Sequence, residues 1–142
     1  MSKSIYLFGI DVRLCELIDN IFGSKYQCAE SSDRETNNST TYQTKVLLTT
    51  PIFTGTYRIS WYGVIDFKAG RGKFRLYNET DNITEGVELI MGASSVHERI
   101  PINGISKVEF NREIKTFSLQ WAKETGDSAS IQDAKIELWR VL

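Results

Sequence analysis

The chain contains a single histidine, His97, set beside Glu98 and Arg99 in a polar stretch. Nucleophilic catalysis by the usual route needs a base beside its nucleophile, and a lone histidine in such surroundings reads as a surface residue. A structural zinc site needs four ligands, which His97 with Cys15 and Cys28 does not supply. Acids are more plentiful, and a pair of carboxylates across a cleft could cleave a glycoside. However, Glu79, Asp81 and Glu85 fall in a turn and Glu88 on an outer strand face, so no pair is set opposite another. The stretch "DNITEG" resembles an oxygen-rich calcium loop only loosely, without its ligand spacing. No glycine-rich segment leaves a strand to open a helix, as a phosphate cradle must. The expectation is a chain that is not an enzyme, with no catalytic residues, no cofactor and no metal.

Aromatic residues are the other chemistry-bearing group. Trp61 shares strand parity with Ile59 and Ile65, and Trp121 with Phe117 and Leu119, so burial accounts for both. Trp139 differs, because Ala134, Ile136 and Leu138 take the opposite parity and leave it with Lys135 and Glu137. Applied to every strand, the same reading puts Leu47, Tyr62, Val64, Tyr77, Ile90 and Trp139 on outer faces. Large apolar residues gathered outside a core mark a contact site, and these six form one if strand order brings them together.

Composition restricts the partners. The 142 residues suit one domain, with 41% hydrophobic and 25% charged residues, the usage of an ordinary globular chain. Seventeen basic residues face 18 acidic ones for a net charge of −1, which gives no general attraction to phosphate backbones, so no nucleic-acid partner is expected. The basic cluster Lys68, Arg71, Lys73 and Arg75 reads as a solvated hairpin with no aromatic platform interleaved. The apolar run from Ile5 to Ile10 ends at Asp11, too short for a secretory core or a membrane span, so neither export by that route nor membrane insertion is expected. On that basis the sequons at Asn37, Asn38, Asn78 and Asn82 read as unmodified turn residues, and Cys15 and Cys28 as free thiols.

The elements that must position these residues follow from periodicity. Asp11 can cap a helix in which Leu14, Leu17, Ile18, Ile21 and Phe22 share one face, ended by Gly23; residues 1–24 form this helical docking segment and residues 25–142 a β domain. A strand near residues 25–30 precedes the polar loop "SSDRETNNST". In the next strand Tyr42, Thr44, Val46 and Leu48 alternate with Gln43, Lys45, Leu47 and Thr49. "TYRISWYGVIDF" follows, with Tyr57, Ile59, Trp61, Gly63, Ile65 and Phe67 inward, and then a strand in which Phe74 and Leu76 oppose Lys73, Arg75 and Tyr77. Val87, Leu89 and Met91 share a register, and the pair Asn103–Gly104 signals a hairpin. The last two strands turn Phe117, Leu119 and Trp121, then Ala134, Ile136 and Leu138, inward. About eight short strands without crossover helices predict an all-β antiparallel sandwich, jelly-roll-like, with the short N-terminal α-helix appended. Periodicity leaves an immunoglobulin-like strand order open.

The segments "TTYQTKVLLTTPIFTGTYRISWYGVIDF" and "ASIQDAKIELWRVL", in that order, resemble the pattern of small virion structural proteins of tailed bacteriophages across residues 40–142, and residues up to about Phe22 do not match it. The resemblance implies a jelly roll used in capsid decoration, a head fibre or a tail component, made in the host cytoplasm and resident in the virion. Its expected partners are other virion proteins and further copies of itself, with a trimer favoured by the similarity of "GTYRISW" to the tumour-necrosis-factor and C1q fold. Contacts would run through Leu14, Leu17, Ile18, Ile21 and Phe22 and through Tyr62, Val64, Tyr77 and Trp139. The alternative is a carbohydrate- or receptor-binding module, in which Trp139, Tyr62 or Tyr77 stacks on a glycan.

Overall fold

The structure, a computed structural model, describes residues 4–7, 10–13, 26–92 and 99–141. Eleven antiparallel strands run in chain order: β1 Ser4–Leu7, β2 Ile10–Arg13, β3 Tyr26–Ser31, β4 Glu35–Asn37, β5 Gln43–Thr49, β6 Phe53–Lys68, β7 Arg71–Asn78, β8 Ile83–Gly92, β9 Ile100–Glu113, β10 Thr116–Lys123 and β11 Ser128–Arg140. One sheet has the order β3-β11-β6-β9, with β4 on β11, and the other the order β5-β10-β7-β8. Counting only the eight strands of the two main paths, these orders read first–eighth–third–sixth and second–seventh–fourth–fifth. Only β7 and β8 are consecutive neighbours within a sheet, and the first strand lies beside the last. That is the double Greek key of a jelly roll, and it excludes the immunoglobulin-like order, whose first two strands pair.

The predicted alternation of β6 is present in full. Tyr57, Ile59, Trp61, Ile65 and Phe67 are buried against Phe74, Leu76, Phe117, Leu119, Trp121, Ile136 and Leu138. Phe53 stacks on Tyr57 at 4.6 Å, and Phe110 meets Tyr57 edge-on at 4.9 Å, geometries that add to what burial alone supplies. The indole of Trp121 donates to the carbonyl of Ala129 at 2.9 Å, so its one polar atom is satisfied inside the core.

Four expectations are corrected. Residues Asp11 to Arg13 lie in β2, where Asp11 pairs with Tyr6, so Asp11 does not begin a helix there; its partners Leu14, Leu17, Ile18, Ile21 and Phe22 lie outside the described residues. Asn103–Gly104 is no hairpin. Both sit within β9, opposite Tyr62 and Trp61, and Gly104 is required because a Cβ there would come within 2.0 Å of the Trp61 ring. Cys28 is not a free thiol but disulfide-bonded, in a chain whose other cysteine is Cys15; the expectation rested on compartment, which says nothing about which sulfurs the fold brings together. Val87 does not share the half-buried register of Leu89 and Met91, because the pairing of β8 with β7 shifts between Phe74 and Leu76 and leaves Val87 exposed. Three residues of β8, Gly86 to Glu88, stand opposite the single residue Arg75, and the odd-numbered set resumes its pairing beyond them at Glu85 and Ile83.

Candidate functional site

The site residues come from three neighbouring strands. On β7 the inward set Gly72, Phe74, Leu76 and Asn78 is buried, which sends Lys73, Arg75 and Tyr77 to the outer face of the four-stranded sheet. On β10 their partners are Ala122, Gln120 and Ser118. All three are buried although they sit outside the core, because longer side chains lie across them.

A bulge supplies the third strand's contribution. Between Leu119 and Gln120 the register of β5 skips one residue: Val46 pairs with Leu119 and Thr44 with Gln120, leaving Lys45 unpaired. The Lys45 side chain is fully buried and places its ammonium 3.2 Å from a Glu35 carboxylate oxygen, with a hydrogen bond to the Asp33 carbonyl. This anchorage holds the extra residue in place. Alternation along β5 therefore reverses at Lys45, and Thr44 and Tyr42 face outward rather than sharing the inward face of Val46 and Leu48.

Tyr42 thereby meets the cations of β7. The guanidinium carbon of Arg75 lies 4.0 Å from the Tyr42 ring centroid and 4.2 Å from that of Tyr77, so the guanidinium is stacked by both. Lys73 Nζ stands 4.7 Å from the Tyr42 ring. Each such contact is worth about 0.5–1 kcal/mol at an exposed site. Arg75 Nε donates to Gln120 Oε1 at 2.8 Å; Gln120 Nε2 donates to Glu79 Oε1 at 3.1 Å and to Ser118 Oγ at 2.9 Å. Ser118 Oγ in turn donates to Glu79 Oε1 at 2.5 Å. Burial, and after it the neighbouring Glu88 carboxylate, push the Tyr42 phenol well above its ordinary value. The result is a row of aromatic rings and polar groups fixed on a flat sheet face.

A second polar cluster lies at the end of the sandwich where β7 turns into β8. Asn78 is buried and donates to Asp81 and Glu85, both at 2.9 Å, while its own oxygen accepts from the backbone of Thr80 and Asp81. The nearly buried Lys115 ammonium bonds Asp81 and stands 3.3 Å from Glu113. Thus of the "DNITEG" acids Asp81 meets a lysine and Glu85 accepts from Asn78, and no group of three His, Cys, Asp or Glu among the described residues could hold a metal ion. Asn37, also buried, donates to the carbonyls of Thr41 and Trp121 at 3.0 Å. Asn37 and Asn78 are thereby structural turn residues in the folded chain, despite their sequons.

The six outer-face residues do not converge. Leu47, Tyr77 and Ile90 lie on the four-stranded sheet, whereas Tyr62, Val64 and Trp139 lie on the outer face of the other sheet, Tyr62 opposite Lys135 and Trp139 opposite Arg58 and Tyr26. Strand order separates them. His97 lies outside the described residues. Sequence reading found Tyr77 but missed Tyr42, Arg75 and Gln120. It denied the basic cluster an aromatic neighbour, and the two stacked tyrosines correct that. Outward alternation of Lys73, Arg75 and Tyr77 was the available signal; the bulge that adds Tyr42 leaves none.

No protein-family model and no curated protein matches the chain. Among solved structures, it is similar to the VP2 subviral particle of infectious bursal disease virus, at 12% identity and a TM-score of 0.51, over 81% of this chain and 32% of that one. It is also similar to the CBM36-1 domain of a multidomain xylanase from the hindgut metagenome of Trinervitermes trinervoides, at 14% identity and a TM-score of 0.48, over 82% and 98% of the two chains. A third is the EclA C-terminal domain, a sugar-binding protein, at 15% identity and a TM-score of 0.48, over 75% and 78%. At these identities the likeness is one of fold.

Proposed function

We propose that this chain acts by binding and not by chemistry, as a jelly-roll module that recognises carbohydrate on the outer face of its four-stranded sheet. The observation that carries this reading is the Tyr42–Arg75–Tyr77 row, seated on the buried Gln120 and Ser118. Sugar recognition asks for a flat apolar ring to lie against the pyranose and for donors and acceptors already held in place around it. Here the rings, the guanidinium and the Gln120–Glu79 network meet both needs without further ordering. The glycan contact of this reading thus includes Tyr77 but not Trp139 or Tyr62, which lie on the other sheet. The test is a glycan array probed with the full chain. Binding that Tyr77→Ala removes supports the reading, and an array without a hit overturns it.

A second reading has its own observation. Ile52 and Ile114, 64% and 50% exposed, flank the paired residues Phe53 and Glu113, so two large aliphatic side chains stand together at one end of the sandwich. Such a tip suits attachment to another protein, in keeping with a virion structural subunit that meets other virion proteins or copies of itself. Mass spectrometry of purified particles tests it, with Ile52→Asp/Ile114→Asp as the variant expected to lose incorporation.

A further inference from the structure

Arg75 is held as a receptor is held before its ligand arrives. Its guanidinium carbon lies 4.0 and 4.2 Å from the centroids of two tyrosine rings, and Nε is tied to Gln120. Among the described residues its two terminal nitrogens form no hydrogen bond, and Arg75 takes part in no ion pair. Neighbouring Lys73 likewise forms no ion pair among the described residues, where its contact is with Tyr42. This contrasts with the other two members of the basic cluster, at the crossing from β6 in one sheet to β7 in the other, where Lys68 is paired with Asp127 and Arg71 with Glu124 at 2.9 Å. In a chain with more acids than bases, two cations on one strand face thus make no ion pair among the described residues. Of the acids beside the row, Glu79 is engaged at the far end through Ser118 and Gln120, and Glu88 lies against the Tyr42 phenol.

A planar guanidinium with its terminal fork unused matches a carboxylate, which it can take through two parallel N–H···O bonds. Resting on the carbohydrate reading above, we infer that the ligand is an acidic glycan: a uronate carboxylate accepts from the Arg75 fork, Lys73 adds charge beside it, and the exposed part of Tyr77 underlies a sugar ring. Because stacking has already fixed the guanidinium, little side-chain freedom remains to be lost when the carboxylate binds. Lysine at position 75 would keep the charge but lose both the fork and the planar stack.

The experiment titrates the full chain calorimetrically with oligogalacturonate, oligoguluronate and oligoglucuronate, each beside its fully methyl-esterified counterpart, at low and at physiological salt. Esterification removes the charge and preserves sugar and linkage. The expected result is binding of at least one free acid, weakened about tenfold or more by esterification, by Arg75→Lys and, to a lesser degree, by Lys73→Gln, with circular dichroism unchanged in both variants. Equal binding of acid and ester, or binding of neutral glycans alone, overturns the acidic assignment and leaves the carbohydrate reading standing. Binding of polyglutamate with none of the glycans overturns both, and so does the absence of any binding.

Discussion

The guanidinium of Arg75 lies 4.0 Å from the centre of the Tyr42 ring because one residue, Lys45, is left out of register on β5. Without that bulge, Tyr42 would share the inward face of Val46 and Leu48. The ammonium of Lys45, buried against Asp33 and Glu35, is what holds the extra residue.

Replacing Lys45 by methionine should therefore affect a site it does not touch. The buried aliphatic stem survives, but the Glu35 and Asp33 partners lose their donor, at a cost of roughly 1–3 kcal/mol. Ligand affinity should fall together with the Tyr42–Arg75 contact. Urea unfolding and nuclear magnetic resonance shifts of the Tyr42 ring measure the two effects; an unmoved ring would show that pairing, not Lys45, fixes the bulge.

Gly104→Ala should destabilise the fold by about 2 kcal/mol or more, since the added carbon would fall 2.0 Å from the buried Trp61 ring and rigid aromatic neighbours yield poorly. Asn103→Ala, on the exposed side of the same edge strand, should be nearly neutral. A turn at this position would reverse the pattern, so thermal melting of the two variants separates a continuous β9 from a hairpin.

Stability should decline on the alkaline side. Burial lifts the phenols of Tyr26, Tyr42 and Tyr57 above their ordinary 10.0. For Lys115, burial by itself would lower the value, but the hydrogen bonds and charges of Asp81 and Glu113 outweigh it and hold the ammonium above 10.5. Each group binds its proton more tightly when folded, so its contribution is complete below pH 10, where the unfolded chain is also protonated, and is lost as pH rises through the folded values. Urea midpoints measured from pH 8 to pH 11.5 should be flat at first and then fall. Lys115→Met should cost roughly 1–3 kcal/mol at neutral pH, its partners being partly solvated, and should show a shallower alkaline fall than the parent. Identical slopes would remove Lys115 from the account.

Reduction should also weaken the chain. A disulfide typically stabilises a fold by about 2–4 kcal/mol, and Cys28 is disulfide-bonded. Dithiothreitol and Cys28→Ser should lower the urea midpoint equally, and a midpoint insensitive to both would assign the bond no role in stability.

Alternation alone determined the two-layered β body. In β6, β10 and the second half of β11 every second residue is apolar or glycine, and a period of two forces those side chains onto one face whatever the neighbours are; the buried rows of Tyr57 to Phe67, Phe117 to Trp121 and Ala134 to Leu138 follow directly. Pairing order, the bulge at Lys45, the straight run through Gly104 and the bonding of Cys28 were decided only in three dimensions. Each depends on contacts between residues distant in the chain: Lys45 with Asp33 and Glu35, Gly104 with Trp61, Tyr42 with Arg75. A one-dimensional period carries no record of which strand lies beside which, and a single inserted residue reverses the face of all that follow it. The site was settled at that level, because two tyrosines become a clamp for one guanidinium only when three strands have been laid side by side.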